Sequence, residues 1–297
     1  MKKHLFAILH ALGVTRFAAW YYRKRVVFLC YHGVTKRQTR SLADPKGLHV
    51  NHRRFAAHLD FLQQHYKIIS LGDYIRASSG HGRLPPYSAV LTFDDGFRNL
   101  LTVAAPLLAA RQIPAAVFLI TDKAGEPTNA DLNLDWTPED DEKYLSWDDA
   151  RILKDQLKFE ICSHTCSHSG LLTLSPEEAE RELHQSYDDL VTHLGVEAPS
   201  LSYPKGQYSK MLAEDARKLG YACAVTTDLG PNELGHDLFT LGRTLIGDDD
   251  NVASFAVRVS GLRWWLAQLR APFENRPREE PRSVAVSAAT PGLRLLD

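Results

Sequence analysis

Ala89-Val90-Leu91-Thr92-Phe93-Asp94-Asp95-Gly96 takes a short apolar run straight into two adjacent carboxylates and a glycine. An apolar run of this length reads as a strand covered on both faces, the kind that parallel sheets use. Active sites of parallel α/β folds gather where such strands end, so the Asp94-Asp95 pair stands in a suitable place. Two anions side by side are costly to bury unless something positive sits beside them. A metal ion meets that need, with one aspartate ligating it and the other acting as a base toward water. The alternative is a strand-end turn in which one of the pair caps the next helix.

Outward from this stretch, similar short runs recur at Val26 to Tyr31, Ala115 to Ile120, Phe159 to Ser163, Leu201 to Tyr203 and Ala222 to Thr226. Helix-period segments lie between them. Phe55, Leu59 and Leu62 mark one apolar stripe, and Leu183, Tyr187, Leu190 and Leu194 mark another. Ser175, Pro176 and Glu178 give the second stripe a capping box at its start. Strands alternating with helices predict a parallel sheet or a barrel of βα units. A chain of 297 residues, 44% hydrophobic, holds one such domain with tails. Its 35 basic and 36 acidic residues leave no net charge to draw nucleic acid. Four scattered cysteines do not make a disulfide framework and point to a reducing compartment.

A second constellation, Ser163-His164-Thr165-Cys166-Ser167-His168, follows another apolar strand. Two histidines four apart can point the same way on one helical turn, which lets both imidazoles reach one ion. With a carboxylate from another strand end they make a set suited to zinc or a similar divalent ion, positions being left open for water and substrate. Between the two constellations, Asp122 to Lys143 loses its period and ends in Glu139-Asp140-Asp141-Glu142, which reads as a long loop near one mouth of the fold.

Thr92-Phe93-Asp94-Asp95-Gly96 followed by Ser163-His164-Thr165-x-x-His168 resembles the NodB-type polysaccharide deacetylase family, a group of carbohydrate esterases. The resemblance covers roughly Val26 to Ile246. It implies a single α/β domain built as a distorted (β/α) barrel, with Asp94 as catalytic base and Asp95, His164 and His168 as metal ligands. It also implies one divalent metal, zinc first, with cobalt, nickel or ferrous iron as alternatives. Two motifs depart from the family's usual order. The third reads Leu201-Ser202-Tyr203-Pro204-Lys205-Gly206, without the arginine that many members carry two residues before the proline. Arg243, in Leu241-Gly242-Arg243, is the candidate replacement, a surface arginine being the alternative. The family's late Leu-x-x-His is absent after His236, whereas Leu29-Cys30-Tyr31-His32 has that spacing at the opposite end of the domain. A circularly permuted member, with its last strand moved to the front, accounts for this and makes His32 the general acid. The backbone amide of Tyr203, next to Pro204, or of a neighbour is the candidate oxyanion donor.

The two ends lie outside the resemblance. Residues 1–25 carry Lys2, Lys3, Arg16, Arg23, Lys24 and Arg25 with no acid, and Leu5, Ile8, Leu9 and Leu12 follow helical spacing before Trp20-Tyr21-Tyr22. They read as an amphipathic helix for an anionic membrane interface, a self-packed helix or a cleaved signal being the alternatives. His10 and Arg16 interrupt the apolar run, favouring a cytoplasmic or inner-face peripheral location over secretion. After a catalytic domain over 26–250, residues 251–271 read as a second amphipathic helix with Phe255, Val259, Leu262, Leu266 and Leu269 on one face, either interfacial or closing the domain. Residues 272–297 read as a disordered tail.

The expected function is therefore metal-dependent removal of N-acetyl groups from an amino-sugar polysaccharide or a sugar-lipid precursor. The rivals are the same scaffold acting on another amide or ester, and a non-catalytic, membrane-associated sugar-binding protein.

Overall fold

The computed structural model describes residues 2–37, 47–124 and 135–270. In chain order the strands are β1 (Val27–Tyr31), β2 (Gly33–Thr35), β3 (His49–Asn51), β4 (Lys67–Ile68), β5 (Ser88–Phe93), β6 (Ala116–Leu119), β7 (Glu160–Ser163), β8 (Leu201–Ser202), β9 (Ala224–Val225) and β10 (Thr244–Leu245). The helices are α1 (Lys2–Ala11), α2 (Val14–Tyr21), α3 (His52–His65), α4 (Leu71–Ser78), α5 (Ala105–Ala109), α6 (Thr121–Ala124), α7 (Trp147–Asp155), α8 (Pro176–Leu194), α9 (Lys210–Leu219), α10 (Val252–Val259) and α11 (Leu262–Arg270). The strands of the main sheet pair in parallel in the order β10-β1-β5-β6-β7-β8-β9, and β4 joins the lower half of β5. The segment Leu241 to Leu245 ties the two edges together. Leu241 bridges to Val225 in β9, while Thr244 and Leu245 pair with Leu29 and Cys30 in β1. The sheet thus curls into the distorted barrel of the NodB type.

Side chains alternate across each strand, and this decides what the barrel holds. Val27, Leu29 and Tyr31 of β1, Leu91 and Phe93 of β5, and Val117 and Leu119 of β6 point outward, against Phe55, Leu59 and Leu62 of α3 and other helical residues. Phe28, Val90, Ala116, Phe118, Cys162, Val225 and Leu241 point inward and fill the lower barrel. Each such fully buried side chain contributes about 1.5–3 kcal/mol. Two residues further along the same inward columns come Cys30 and Thr92. The next steps are His32 and Asp94, with His164 two after Cys162. The period of two that fills the barrel with hydrocarbon carries polar residues to its upper mouth.

The acidic run is an anchor and not a free loop. Asp140 and Asp141 are buried, within a short 3₁₀ turn over Pro138–Asp141. Asp141 accepts from Thr35 Oγ1 at 2.6 Å, Arg37 Nε at 2.9 Å and Asn99 Nδ2 at 2.9 Å. Asp140 accepts from Arg98 Nη1 at 2.7 Å. The middle of the expected loop, 125–134, lies outside the described residues, as does the tail beyond 270.

Both end segments expected as single helices are broken. Gly13, with φ +76°, separates α1 from α2. Gly261, with φ +78°, separates α10 from α11, and a Cβ there would lie 2.7 Å from the Tyr22 ring. The apolar residues of 251–271 therefore do not share one continuous helical face. Phe255 and Val259 are buried against the barrel's helices, whereas Leu266 is exposed. Among the described residues no helix is long and apolar enough to cross a membrane.

Candidate active site

Asp94 and Asp95 leave the end of β5 in different directions. Asp94 continues the inward column and is buried, 3% exposed. Asp95 turns away with φ +69°, as do Thr165 and His168, each with φ +64°. Left-handed backbone is uncommon for a carboxylate and a genuine outlier for β-branched threonine, at a cost on the order of 1–3 kcal/mol each. Surrounding bonds hold it in place. Thr165 N–H donates to Ser163 Oγ at 3.0 Å, His168 N–H to Thr165 Oγ1 at 3.2 Å, and Thr121 N–H to Thr165 O at 3.2 Å. The two histidines thus converge through a strained loop, not through the helical turn that their spacing suggested.

The result is a tight trio. His164 Nε2 lies 3.5 Å and His168 Nε2 3.7 Å from Asp95 Oδ1, and the three donor atoms all fall within 4.8 Å of one another. Ligands at zinc's usual bond lengths in tetrahedral geometry sit about 3.4 Å apart, so the set fits a small divalent ion. His164 Nδ1 is fixed at 2.8 Å from the Ser202 carbonyl, which leaves Nε2 facing the trio. Burial alone would lower the His164 pKa, but Asp94 and Asp95 beside it raise it above the ordinary histidine value. Burial and the neighbouring His164 lower that of His168.

Arg243 is 1% exposed, which overturns the surface reading. It lies in the segment that closes the sheet, two residues after the inward-facing Leu241, and so projects into the barrel. Its Nη1 donates to Asp94 Oδ1 at 2.7 Å and its Nη2 to Oδ2 at 2.6 Å. The remaining donors reach Thr226 O at 2.9 Å, Thr92 Oγ1 at 3.1 Å and Ser202 Oγ at 2.9 Å. All five guanidinium N–H groups are thereby used. Burial by itself would raise the Asp94 pKa; Arg243 holds the carboxyl well below the usual range.

His32 ends the strand beside β5, at the same mouth. Its side chain groups with Cys30 and Asp94, and its Nδ1 is buried with no hydrogen-bond partner among the described residues. Burial lowers its pKa, and the nearby carboxylates of Asp94 and Asp95 oppose that shift.

Tyr203 and Pro204 are not brought to the site as the sequence suggested. The Tyr203 amide is committed to Val225 O at 3.2 Å in the β8–β9 pairing, so it is not a free oxyanion donor. Its hydroxyl donates to Phe239 O at 3.2 Å and its ring stacks on Tyr208. Pro204, itself buried, opens a 3₁₀ turn. The preceding residue, Ser202, is the one that faces the centre, donating to Asp94 Oδ2 at 3.2 Å while its carbonyl fixes His164. Thr92 and Cys30 were also missed. The inward columns of β5 and β1 would have found both, since each stands two residues before a site residue.

Residues 81–224 match the family model described as polysaccharide deacetylase, a span that includes Asp94, Asp95, His164 and His168 but neither His32 nor Arg243. The poly-beta-1,6-N-acetyl-D-glucosamine N-deacetylase of Escherichia coli strain K12 is 25% identical over 65% of this chain, which spans only 33% of that longer protein. Among solved structures, the Streptococcus pyogenes deacetylase PplD in complex with acetate superposes with a TM-score of 0.68 at 23% identity, over 79% of this chain and 98% of that one. IcaB from Ammonifex degensii gives 0.65 at 24% identity, over 78% and 97%. These two show the shared fold. Fold and matched segment agree, and both place the chain's similarity with the NodB-type polysaccharide deacetylases.

Proposed function

We propose that this protein is a metal-dependent hydrolase that removes N-acetyl groups from an amino-sugar polymer, β-1,6-linked poly-N-acetylglucosamine being the first substrate to try. The observation that carries the reading is one barrel mouth at which the Asp95, His164 and His168 trio adjoins an Asp94 clamped by Arg243 and a buried His32 nitrogen without a partner among the described residues. Asp95, His164 and His168 would hold a divalent ion, zinc being the best match, which when bound would supply Lewis-acid polarisation of the acyl oxygen and activation of water near neutral pH. Asp94 Oδ1, which accepts one bond from Arg243, has a second lone pair to take the proton of the attacking water. Arg243 and Ser202 fix the plane of that carboxylate, so the base meets its water in one orientation. His32 delivers the proton to the leaving sugar nitrogen, which would otherwise depart as a poor anion. Its position on the first strand, beside β5, suits a permuted order in which that strand takes the place of the family's last one.

The test is acetate release by the zinc-loaded protein from β-1,6- and β-1,4-linked N-acetylglucosamine oligomers and from an aryl acetate ester. Release from the sugars, fastest for the β-1,6 series, is expected. Turnover of the ester with none of any N-acetyl sugar would point to the rival chemistry on this scaffold.

A further inference from the structure

The terminal helices present an unusual surface. Phe6 and Leu9 of α1 pack with Ala18, Val257 and Leu262. That helix and the turn after it expose a second stripe, Leu5 at 53%, Ile8 at 54% and Leu12 at 73%. In α2, Phe17, Trp20 and Tyr21 are exposed, and in α11 Trp265 and Leu266. These helices pack on one another and on α10. Trp264 meets the Tyr22 ring edge-on at 5.1 Å, and Arg25 lies 4.7 Å over Trp264, so α11 continues the surface of α2. Neither residues 1–25 nor residues 251–273 contain an aspartate or glutamate. Glu233 pairs with Arg25, while Arg16 and Lys24 are exposed and Arg23 lies 4.7 Å over the ring of Trp20.

The surface has a defined place on the barrel. Arg23 O accepts from Tyr87 N–H, just before β5 begins, and Val26 bridges to Asn232 at the foot of β1. A groove of about 590 Å³ beside it is lined by His10, Arg16 and Ala19, by Phe61 and His65 at the end of α3, and by Tyr87 just ahead of β5. The patch therefore lies at the strand-entry end, about 20 Å of strand from His32.

We propose that α1, α2 and α11 form one docking surface for an anionic lipid bilayer, which holds the barrel with its metal mouth turned toward water. Exposed aliphatic residues, interfacial Trp and Tyr, and a predominance of basic groups are the three elements of an interfacial helix surface. Charge selects the occupant. A second copy of the chain would bring two predominantly basic faces together, which like-charge repulsion opposes, whereas anionic headgroups complement them.

The experiment floats the full-length chain with vesicles of 70:30 phosphatidylcholine to phosphatidylglycerol and with pure phosphatidylcholine. Expected are binding to the anionic vesicles, at least tenfold weaker binding for the Ile8→Glu, Leu12→Glu double variant, and about fivefold loss for each of Arg16→Glu and Lys24→Glu. Circular dichroism checks that each variant is folded. Equal flotation on both lipids, undiminished binding of the double variant, or a dimer that the double variant dissolves would overturn the proposal. Orientation is read with a dye on Lys205→Cys in a Cys166→Ser background. Iodide should quench it equally in free and bound protein, and protection of more than twofold would overturn the stated orientation. Neither readout needs turnover, so failure of the deacetylase reading and failure of docking are told apart.

Discussion

Arg243 is 1% exposed and Leu12 is 73% exposed, which reverses where an arginine and a leucine ordinarily sit. The two belong to opposite ends of one barrel. At the mouth, charge is taken inside, and each buried group is answered by another: five donors of Arg243 by Asp94, Thr92, Ser202 and Thr226, and His164 by Ser202 and Asp95. At the base, apolar side chains are left outside with no answering surface among the described residues. Burying charge is tolerated only when partners are pre-placed, so the mouth has to be rigid and unforgiving. Exposed hydrocarbon makes no such demand on the fold, so the base should tolerate change. The predictions that follow test that contrast.

The largest effect belongs to the trio. His164→Ala or His168→Ala should remove most of the metal and lower acetate release about 10³-fold or more, since a catalytic ion supplies several kilocalories of transition-state stabilisation. Elemental analysis of the purified variants checks the first part, and full occupancy in either would break the ligand assignment. The raised pKa of His164 adds a pH dependence. The proton must leave before the nitrogen can ligate, so metal affinity should fall by up to about tenfold per unit as pH drops below that pKa.

Next comes the clamp on Asp94. Arg243→Met leaves a buried carboxylate unpaired and should cost about 3–5 kcal/mol, read by urea unfolding. The sign with pH follows from the depressed Asp94 pKa. Its stabilising contribution is present above the ordinary aspartate value and is lost as pH falls through the folded one, so wild type and variant should converge in acid. Arg243→Lys keeps a charge but not the two-pronged contact, and should fall between them. A variant as stable as wild type at pH 7 would mean that Asp94 finds another partner.

His32→Ala is expected to lower turnover by roughly 10²-fold with metal content unchanged, the range for a positioned proton donor. Near-normal turnover would assign the proton to water or to another residue.

How far the sequence carried this picture depends on range. Strands such as Ala89 to Phe93 and Val26 to Tyr31 are dense in local signal, and Asp94, Asp95, His164 and His168 stand directly after apolar runs. The two-residue strands Thr244–Leu245 and Lys67–Ile68 have no such signal, because their pairing partners lie far away in the chain. Arg243 took its place from that pairing, and so its burial was not readable from Leu241-Gly242-Arg243. The acids of 139–142 read as the end of a long loop near the mouth, since nothing local announces that Arg37, Arg98 and Asn99 will converge on Asp140 and Asp141. The breaks at Gly13 and Gly261 depended on left-handed backbone, which a glycine permits but does not require.

The smallest effect tests the other half of the contrast. Leu12→Ser changes a side chain that meets water, so folding stability should move by no more than about 0.5 kcal/mol, or a degree or two in Tm. Leu59→Ala, at a position with 0% exposure on α3, should by comparison cost about 2–5 kcal/mol. The pair is informative because a leucine is shortened in both. If Leu12→Ser also cost 2 kcal/mol or more, the outer stripe of α1 would be covered in solution, and the base would be one more piece of core. If the cost is negligible while vesicle binding drops, the stripe is dispensable for folding and its apolar character answers to something outside the chain.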